Sequence, residues 1–382
     1  MRVLVLNPGS SSLKASVVEP GTGEALARLT VSLGEDASRA ADLPGKLRDA
    51  VGRLETSGVD PASIEAVGHR VVHGGTRFRA PVRVDDEVLA GIAELRELAP
   101  LHTGGSLDAI RAALDAFANL PQVAAFDTAF HADLAESAFR YPVPYEWYAR
   151  WGVRRFGFHG LSVRWSVDQA GELLGRPASE LNLLVARLGS GCSVTAVAGG
   201  KSAGTTMGFT PLEGVMMGTR SGSIDPAIVF YLLRRGVLDA RGLEDALEHG
   251  SGLLGVSGST ADVRRLLELA RDGDDRAALA IALFVRSAAA GIAAMASCLP
   301  RLDALIFTGG IGERSAEIRR RIAERLTVLS IEAPAVADVD TDSVVSAFGA
   351  RVAVLRIEAR EDIVVARQTA AVIASGSPVD ES

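Results

Sequence analysis

The sequence contains the same pattern twice: an apolar strand that ends in a Gly/Ser turn and is followed by a second strand. The first copy runs from Val5 to Ser12 and the second from Val185 to Cys192, with further strand-like runs at Ala15 to Val18 and Val194 to Val197. Two strand-turn-strand units predict two similar domains, each offering a small-residue hairpin turn toward a shared cleft. A chance match within a Gly/Ser-rich chain is the alternative interpretation.

Short apolar runs and helical periodicity alternate along the rest of the chain. Strands are predicted at Val3 to Leu6, Val123 to Phe126, Leu183 to Ala186 and Leu305 to Phe307. Leucine, isoleucine and phenylalanine recur three and four residues apart between Leu107 and Phe117, as is typical of an amphipathic helix. The mixture predicts an α/β protein, and 382 residues with 48% hydrophobic content suffice for more than one core.

The charge balance and the cysteines exclude several classes of function. A net charge of −7 gives no overall attraction to nucleic acid or an anionic membrane, so neither partner is expected. Two cysteines without CxxC spacing predict neither a disulfide framework nor a zinc site. The apolar run at the start of the chain is too short for a signal peptide. The apolar segment from Ala277 to Leu299 is predicted to be an internal helix and not a membrane span, because Arg286 interrupts it. A cytoplasmic protein is expected.

Three glycine- and serine-rich turns could approach phosphate groups closely. The turn from Asn7 to Lys14 combines three serines with a lysine, although its spacing is not that of a P-loop. A solvated serine-rich hairpin explains this turn equally well. Arg187 to Cys192 would be a second clamp, and Phe307 to Glu313 a third turn that precedes a predicted helix from Arg314 to Leu326. Together the three turns favour a nucleotide.

Four further side chains are candidates for chemistry. Arg70 lies among apolar residues of a predicted strand, and a buried guanidinium needs an anionic partner, either a carboxylate of the protein or a substrate. The same alternatives apply to Arg220 in a glycine-rich loop. Asp127 ends a predicted central strand, where an acid is often functional, and His159 is either a donor or a structural histidine. His69 and His73 lie in a predicted strand, which argues against a histidine metal site.

These motifs, in this order, resemble the acetate and propionate kinase family of the actin, hexokinase and heat-shock-chaperone superfamily. The resemblance covers essentially the whole chain and rests on Asn7 to Lys14, His69 to Gly75, Leu98 to His102, Phe126 to His131, Phe156 to Gly160, Met207 to Glu213, Met217 to Pro226 and Gly309 to Glu313. It implies reversible phosphoryl transfer from ATP to acetate, giving acetyl phosphate and ADP. It also implies Mg²⁺, with Mn²⁺ as a substitute, and a homodimer.

The resemblance assigns roles residue by residue. It implies that Asp127, His159 and Arg220 are catalytic, that Arg70 binds the substrate carboxylate, and that Val72, Leu101, Phe158 and Pro211 surround its methyl group. It places Mg²⁺ at Asn7 and Glu361. The nucleotide would contact Ser10, Ser12, Lys14, Arg187, Leu188, Gly189, Ser190, Gly191, Asp262, Val263, Arg264, Gly310, Ile311, Gly312, Glu313 and Arg314.

The chemistry agrees with these roles in all but one respect. Charge on a transferring phosphoryl group calls for arginines, an imidazole and Mg²⁺ around an in-line path. A carboxylate nucleophile, with a pKa of about 4.3 like that of Glu, has no proton to lose at pH 7. We therefore expect Asp127 to orient an arginine or the metal's ligands rather than to act as a general base.

The sequence departs from the family pattern mainly on the nucleotide and metal side. Arg187 and Ser190 replace the family's His and Asn, Val163 replaces a His, Arg314 replaces an Asn, and the segment around Glu361 is altered. These changes leave three alternatives open: a propionate or butyrate kinase, another phosphoryl donor, or a homologue with degraded catalysis. A nucleotide-gated binding protein that phosphorylates no acid is a further alternative.

The expected architecture is two duplicated ribonuclease-H-like domains with an interdomain cleft. Residues 1–131 and 363–382 would form the N-terminal domain, with the first phosphate hairpin and the carboxylate site. Residues 132–362 would form the C-terminal domain, with the second hairpin and the adenosine-binding turn.

Overall fold

The fold is described here from a computed structural model. It describes residues 1–9, 12–32, 43–54, 58–97, 100–335 and 339–375, without the side chains of residues 31–32, 97 and 100–103. The strands are β1 Val3–Pro8, β2 Ser12–Glu19, β3 Glu24–Ser32, β4 Ala66–Val71, β5 Val82–Arg83, β6 Gln122–Phe126, β7 Asn182–Leu188, β8 Cys192–Ala198, β9 Lys201–Thr205, β10 Ala304–Thr308, β11 Ser343–Val344 and β12 Ala353–Arg356. The helices are α1 Leu43–Gly52, α2 Asp86–Glu94, α3 Pro100–Ala116, α4 Glu136–Phe139, α5 Tyr145–Trp151, α6 Gly160–Leu174, α7 Ala227–Arg234, α8 Ala240–His249, α9 Gly252–Ser257, α10 Val263–Arg271, α11 Asp275–Ala296, α12 Gly309–Arg314, α13 Ala316–Ala323 and α14 Glu361–Ser375.

The chain divides into two compact units. Unit 1 comprises Met1–Ala132, Phe158–Trp165 and Arg360–Ser382, and unit 2 comprises Asp133–Gly157 and Ser166–Ala359. The segment Phe158–Trp165 thus belongs to unit 1, whereas the expected boundary assigned it to the C-terminal domain. The chain also enters unit 1 for the last time at Arg360, three residues before the expected position. A boundary read from composition cannot detect an eight-residue segment that packs with the other unit.

Each unit contains one mixed sheet, and the two sheets have the same topology. Unit 1 has the strand order β3-β2-β1-β4-β6-β5, and unit 2 has the order β9-β8-β7-β10-β12-β11. In both, the first three strands form an antiparallel meander, the next two strands along the sheet join in parallel, and a two-residue edge strand closes the sheet antiparallel. The duplication predicted from the repeated hairpin is therefore present, and the α/β class is confirmed.

The cores explain why these segments form strands and helices. Val3, Leu4, Val5 and Leu6 of β1 are all buried, as expected for a central strand that is covered on both faces. The apolar face of α1, including Leu47 and Val51, packs into the core of unit 1. The C-terminal helix α14 packs on β1, β4 and β6 of the same unit. At their crossing a side chain on Gly68 would overlap Val365, so a glycine is needed there.

The apolar segment after Ala277 forms the long helix α11 of unit 2. In the described part of the chain it is the one helix whose length and composition would suit a membrane span, and 39% of that apolar window is buried. Ile281, Phe284 and Ile292 are fully buried, and the helix packs on β7 and β8. Its buried face is that of the internal helix predicted from the sequence, while Leu279 on the outer face is exposed.

The helix predicted from Arg314 to Leu326 is wrong in its bounds. The glycines after β10 themselves form the helix α12, and a second helix, α13, begins at Ala316. Ser315 separates the two because its side chain accepts a hydrogen bond from the amide of Ile318, which is the N-cap arrangement that starts a new helix.

Burial of His69 makes the stability of unit 1 depend on pH. The ring of His69 on β4 bonds Gln122 on β6 at 2.8 Å, and burial lowers its pKa to about 4. The unfolded imidazole takes up its proton near pH 6.5, so between these values the unfolded chain binds more protons and stability falls as the pH falls. We expect His69→Gln to remove about 2 kcal/mol of the stability loss between pH 7 and pH 5.

Urea unfolding at both pH values measures this effect. His249→Gln is the matched control because His249 is exposed at the end of α8. An identical pH dependence in wild type and His69→Gln would show that the buried ring does not titrate as described.

Candidate active site

Arg70 is the centre of a polar cluster in unit 1. Its Nη2 atom lies 2.6 Å from Asp127 Oδ2, and its Nε atom donates to both carboxylate oxygens of Asp127 at 3.2 Å. Its Nη1 atom donates to Asn7 Oδ1 at 3.1 Å and lies 3.1 Å from Glu361 Oε2. Ser162 donates to the other oxygen of Glu361. One guanidinium therefore joins residues that are far apart in sequence.

The parallel strands bring these residues together. Leu6 of β1 is paired with His69 of β4, and Arg70 of β4 with Ala125 of β6, so Asn7, Arg70 and Asp127 all lie at the carboxyl ends of neighbouring strands. This edge of an open α/β sheet is where ligands usually bind. Lys14 faces Asn7 across the hairpin and is exposed there. Glu361 is added by the first turn of α14.

Two carboxylates hold Arg70 charged and oriented. The side chains of Arg70, Asp127 and Glu361 are 14%, 1% and 11% exposed. Burial alone would lower the pKa of Arg70, but the negative charges of Asp127 and Glu361 outweigh it and raise the pKa. Because Asp127 accepts hydrogen bonds from both Nε and Nη2 of Arg70, its carboxylate serves to orient a cation.

The backbone next to His159 is hydrogen-bonded to Asp127 of the same cluster. The amide of Gly160 donates to the carbonyl of Asp127 at 2.9 Å, and a Cβ on Gly160 would overlap that carbonyl. His159 itself has φ +61°, an uncommon conformation for a residue with a side chain. The preceding residue, Phe158, is 1% exposed. The carbonyl oxygen of Phe158 lies 3.1 Å from His131 Nε2, and the Phe158 ring packs edge-on against the ring of His73. Val163, the departure from the family's histidine, is fully buried.

Unit 2 contains a cavity of about 310 Å³ at the second hairpin. It lies between the β7–β8 turn, the start of α10 and the glycine turn that begins α12. The lining residues are Gly189, Ser190, Gly218, Thr219, Ala261, Asp262, Val263, Arg264, Gly310, Ile311, Arg314 and Ser315. Eight of the predicted nucleotide residues therefore surround one cavity. Gly218, Thr219, Ala261 and Ser315 are additions that the sequence reasoning missed.

The glycine turn packs directly against the hairpin. Gly309 has φ +76°, and a Cβ on it would lie 2.7 Å from the carbonyl oxygen of Leu188. Gly310 has open space where a Cβ would stand, so its backbone faces the cavity. Arg319 is fully buried and donates to the carbonyls of Gly312 and Glu313 at 2.9 and 2.8 Å, which fixes the turn from behind.

The start of α10 supplies the acidic residue of the cavity. Asp262 is the N-cap of α10 and accepts from the amide of Arg264 at 2.8 Å. Hydrogen bonds from Arg264 lower the pKa of the Asp262 carboxyl, and the bond from the Arg264 side chain contributes most. Its carboxylate thus remains charged at neutral pH.

The two arginines of unit 2 that were candidates for phosphate contacts both have protein partners. Arg187 donates to the carbonyl of Gly191 across its own hairpin at 3.1 Å. Arg220 forms an ion pair with Glu248 of α8, with 2.7 Å between Nε and Oε2. The carboxylate of Glu313 accepts from the amide of Ala359 at 2.9 Å. No sequence signal links Arg220 to Glu248, because the two lie on separate elements.

Two predicted contacts fall outside what is described. Ser10 lies outside the described residues, and the side chain of Leu101, at the start of α3, also does so. Ser12 begins β2, and its carbonyl accepts from the amide of Gly9 at 2.8 Å. Val72 is half-buried in the bend that directly follows β4. Pro211 is buried in unit 2.

Comparison with known proteins gives the same relationship along the whole chain. Residues 2–367 match the model of the acetokinase family. The chain belongs to this family. It is 44% identical to the acetate kinase of Deinococcus radiodurans over 98% of both chains. As an acetokinase it is a phosphotransferase.

Solved structures extend the comparison to the fold. An acetate kinase from Porphyromonas gingivalis superposes with a TM-score of 0.87 at 31% identity, covering 97% of this chain and 99% of that one. A propionate kinase from Francisella tularensis gives 0.86 at 34% identity with the same coverage. A ROK hexokinase from Thermus thermophilus, at 15% identity and a TM-score of 0.50, shares the fold alone. The two kinase superpositions each cover 97% of this chain and therefore include the sheets of both units.

Substitutions at the two neighbouring glycines of α12 should have different effects, one on folding and the other on ligand binding. Gly309→Ala should lower stability by about 1–3 kcal/mol, because alanine rarely adopts a positive φ and its Cβ would press on Leu188. Gly310→Ala should leave stability unchanged but weaken nucleotide binding, because its methyl group would enter the cavity. Thermal unfolding and an ADP titration measure the two effects. Equal stability losses in both variants would contradict this assignment of the turn.

Proposed function

We propose that the chain transfers a phosphoryl group reversibly between ATP and acetate, giving acetyl phosphate and ADP. The observation that carries this proposal is the oriented guanidinium of Arg70 at the carboxyl edge of a sheet in unit 1, held by Asp127. The family relationship and the cavity in unit 2 support the same conclusion.

Arg70 is suited to bind a short carboxylate. Of the five N–H groups of Arg70, those of Nε and Nη1 and one of Nη2 face Asp127, Asn7 and Glu361, so an incoming carboxylate oxygen would accept from the second Nη2 hydrogen. The fixed acids offset the cost of burying this cation. Half-buried Val72 and the buried ring of Phe158 supply apolar side chains in the same unit. One cation beside apolar side chains favours a small aliphatic acid.

The cavity in unit 2 is suited to the nucleotide. Bare backbone at Gly189 and Gly310 allows the close approach that a phosphate or ribose requires. Arg264 and Arg314 add positive charge, and Asp262 adds an acceptor for a ribose hydroxyl. The acid site and the nucleotide site can be assayed separately because their residues belong to different units.

The transfer requires no proton. A carboxylate oxygen of acetate forms a bond to the γ-phosphorus, and the bond from that phosphorus to the bridging oxygen breaks, leaving its electron pair on ADP. Acetate is ionised at pH 7, so no base is needed. Asp127 therefore orients Arg70, while His159 and Arg220 would stabilise charge on the phosphoryl oxygens.

We infer that Asn7 and Glu361 would hold a magnesium ion. Asn7 Oδ1 and Glu361 Oε2 both lie 3.1 Å from Arg70 Nη1, so the two oxygens are close together but would have to turn away from this guanidinium to bind an ion. No group of three or more His, Cys, Asp or Glu residues suited to a metal occurs among the described residues. Mg²⁺ commonly takes one or two protein oxygens together with phosphates and water. When bound, it would neutralise phosphate charge.

Propionate is the second candidate acceptor. The Francisella relative with a TM-score of 0.86 is a propionate kinase, so the longer acid belongs in the same assay. One methylene changes selectivity in an apolar pocket by only about 1–3 kcal/mol.

Arg70→Ala tests the acid site. We expect kcat/KM for acetate to fall by about 10²–10³-fold with ATP and Mg²⁺, because the carboxylate loses its cation, while ADP binding is retained. A hydroxamate assay for acyl phosphate with acetate, propionate and butyrate provides the measurement. Arg77→Ala is the matched control because Arg77 is 43% exposed and pairs with Glu87.

Acyl phosphate formation that survives in Arg70→Ala would remove Arg70 from the acid site. No product from the wild type with any of these acids, and with other phosphoryl donors, would refute the proposed function.

We also propose that the enzyme is a homodimer that uses α7 as an interface. The helix reads AIVFYLLR, yet none of its residues is buried, and Ile228, Phe230 and Tyr231 are 46%, 57% and 54% exposed. An exposed apolar helix is a typical contact surface. Asp225 precedes it and Arg234 ends it, so two copies packed antiparallel about a two-fold axis would pair opposite charges.

The free thiols of Cys192 and Cys298 agree with a cytoplasmic location.

Phe230→Asp should convert the dimer to a monomer, because it places a charge within the apolar contact. Sedimentation equilibrium measures the mass. Val328→Asp is the control, since Val328 is an 83% exposed apolar residue elsewhere in unit 2. A wild type that sediments as a monomer, or a Phe230→Asp variant that remains dimeric, would contradict the proposal.

A further inference from the structure

Unit 2 has another cavity, which lies between α11 and the end of α13. Its volume is about 470 Å³, larger than that of the cavity at the second hairpin. Three of its six lining side chains carry a guanidinium group and one carries a carboxylate. The lining residues are Ala282, Val285, Arg320, Arg321, Glu324 and Arg325. The cavity is therefore mainly cationic, although the whole chain has a net charge of −7.

The end of α13 brings the three arginines together. Arg320 and Arg321 lie in its last turn, and Arg325 lies in the turn of the chain that directly follows the helix. Residues four apart lie on the same side of a helical turn, so Arg321 and Arg325 are neighbours. Ala282 and Val285 of α11 supply the apolar part of the lining.

The acidic side chains nearby neutralise only part of this positive charge. Glu324 accepts a hydrogen bond from Nη1 of Arg320. Glu317, at the start of α13, accepts from Nη2 of Arg321 at 2.5 Å, and its other oxygen accepts from Arg271 of α10. Three arginines thus share two carboxylates, which leaves one positive charge in excess.

Arg325 adds a second excess charge. Within the described ranges its side chain forms neither a hydrogen bond nor an ion pair. The Nε atom of Arg320 is buried and also has no hydrogen-bond partner among the described residues. A buried donor without a partner is unfavourable, and an acceptor that enters beside it would remove that cost. Both observations indicate that these arginines have room for a further anionic partner.

We propose that this cavity binds a small anion with two or more negative charges. Guanidinium groups match the oxygens of phosphates and carboxylates, and two excess positive charges match a dianion. The apolar lining from Ala282 and Val285 admits a short carbon chain, so pyrophosphate and a dicarboxylate such as succinate both have the required chemistry. The proposal does not rest on phosphoryl transfer, because the residues of this cavity are separate from those at the second hairpin.

Pyrophosphate binding to the full chain tests the proposal. Isothermal titration calorimetry at constant ionic strength measures the affinity. We expect Arg325→Gln and Arg320→Gln each to weaken binding about tenfold, because each variant loses a charge-assisted hydrogen bond to the anion. Gly310→Ala, which changes the cavity at the second hairpin, should retain this binding.

Arg150→Gln is the matched control for net charge. Arg150 is 70% exposed on α5 of the same unit, so this variant loses the same charge at a distant position in the sequence. Thermal unfolding of every variant measures stability separately from binding. Succinate is titrated in the same way: binding of pyrophosphate alone would assign the cavity to phosphate anions, and binding of both would assign it to dianions in general.

Four results would overturn the proposal. The first is a wild type that binds neither pyrophosphate nor succinate. The second is binding that Gly310→Ala weakens and Arg325→Gln leaves intact, which would place the anion at the second hairpin. An equal loss in Arg150→Gln would show a general effect of net charge. A lower unfolding temperature in Arg325→Gln with unchanged binding would show that Arg325 only stabilises the carboxyl end of α13.

Discussion

The ion pair between Arg70 and Asp127 is the interaction on which the site in unit 1 depends. Neither group could be buried alone, because an isolated charge in a protein interior costs many kcal/mol. Together they satisfy one another, and Asn7 and Glu361 complete the set from β1 and α14. The pair therefore fixes where β1, β4, β6 and α14 meet. It also presents a cation whose orientation does not depend on the substrate.

Unit 2 meets a different requirement with the same sheet topology. Here the turns that follow β7 and β10 are rich in glycine, and Gly309 lies against Leu188 so closely that no side chain could intervene. A cavity that combines this bare backbone with Asp262, Arg264 and Arg314 suits a large polar ligand that needs many hydrogen bonds. The same duplicated sheet thus provides a site centred on one buried arginine in unit 1 and a glycine-lined cavity in unit 2.

The departures from the family pattern have local physical consequences. Arg187 is turned back onto the carbonyl of Gly191, so its charge stabilises its own hairpin. Burial raises the pKa of Cys192 in that turn to about 11 despite the nearby positive charges of Arg187 and Arg220, so the thiol is protonated and unreactive at neutral pH. Val163 packs where a histidine would need a partner. These changes are accommodated without opening the turn.

The sequence by itself determined the class of fold and the duplication, because hairpin turns and strand ends are encoded by short local patterns. The roles of the site residues stay a prediction from the family resemblance, although eight of the nucleotide residues surround one cavity. The sequence also indicated that Asp127 orients a cation, since a carboxylate substrate leaves a base nothing to remove. Only the tertiary structure decided that Phe158–Trp165 belongs with unit 1, that α12 and α13 are separate helices, and that Glu248 pairs with Arg220 and Ser162 with Glu361. Those partners come from distant segments, and no local pattern records which side chains meet when separate elements pack.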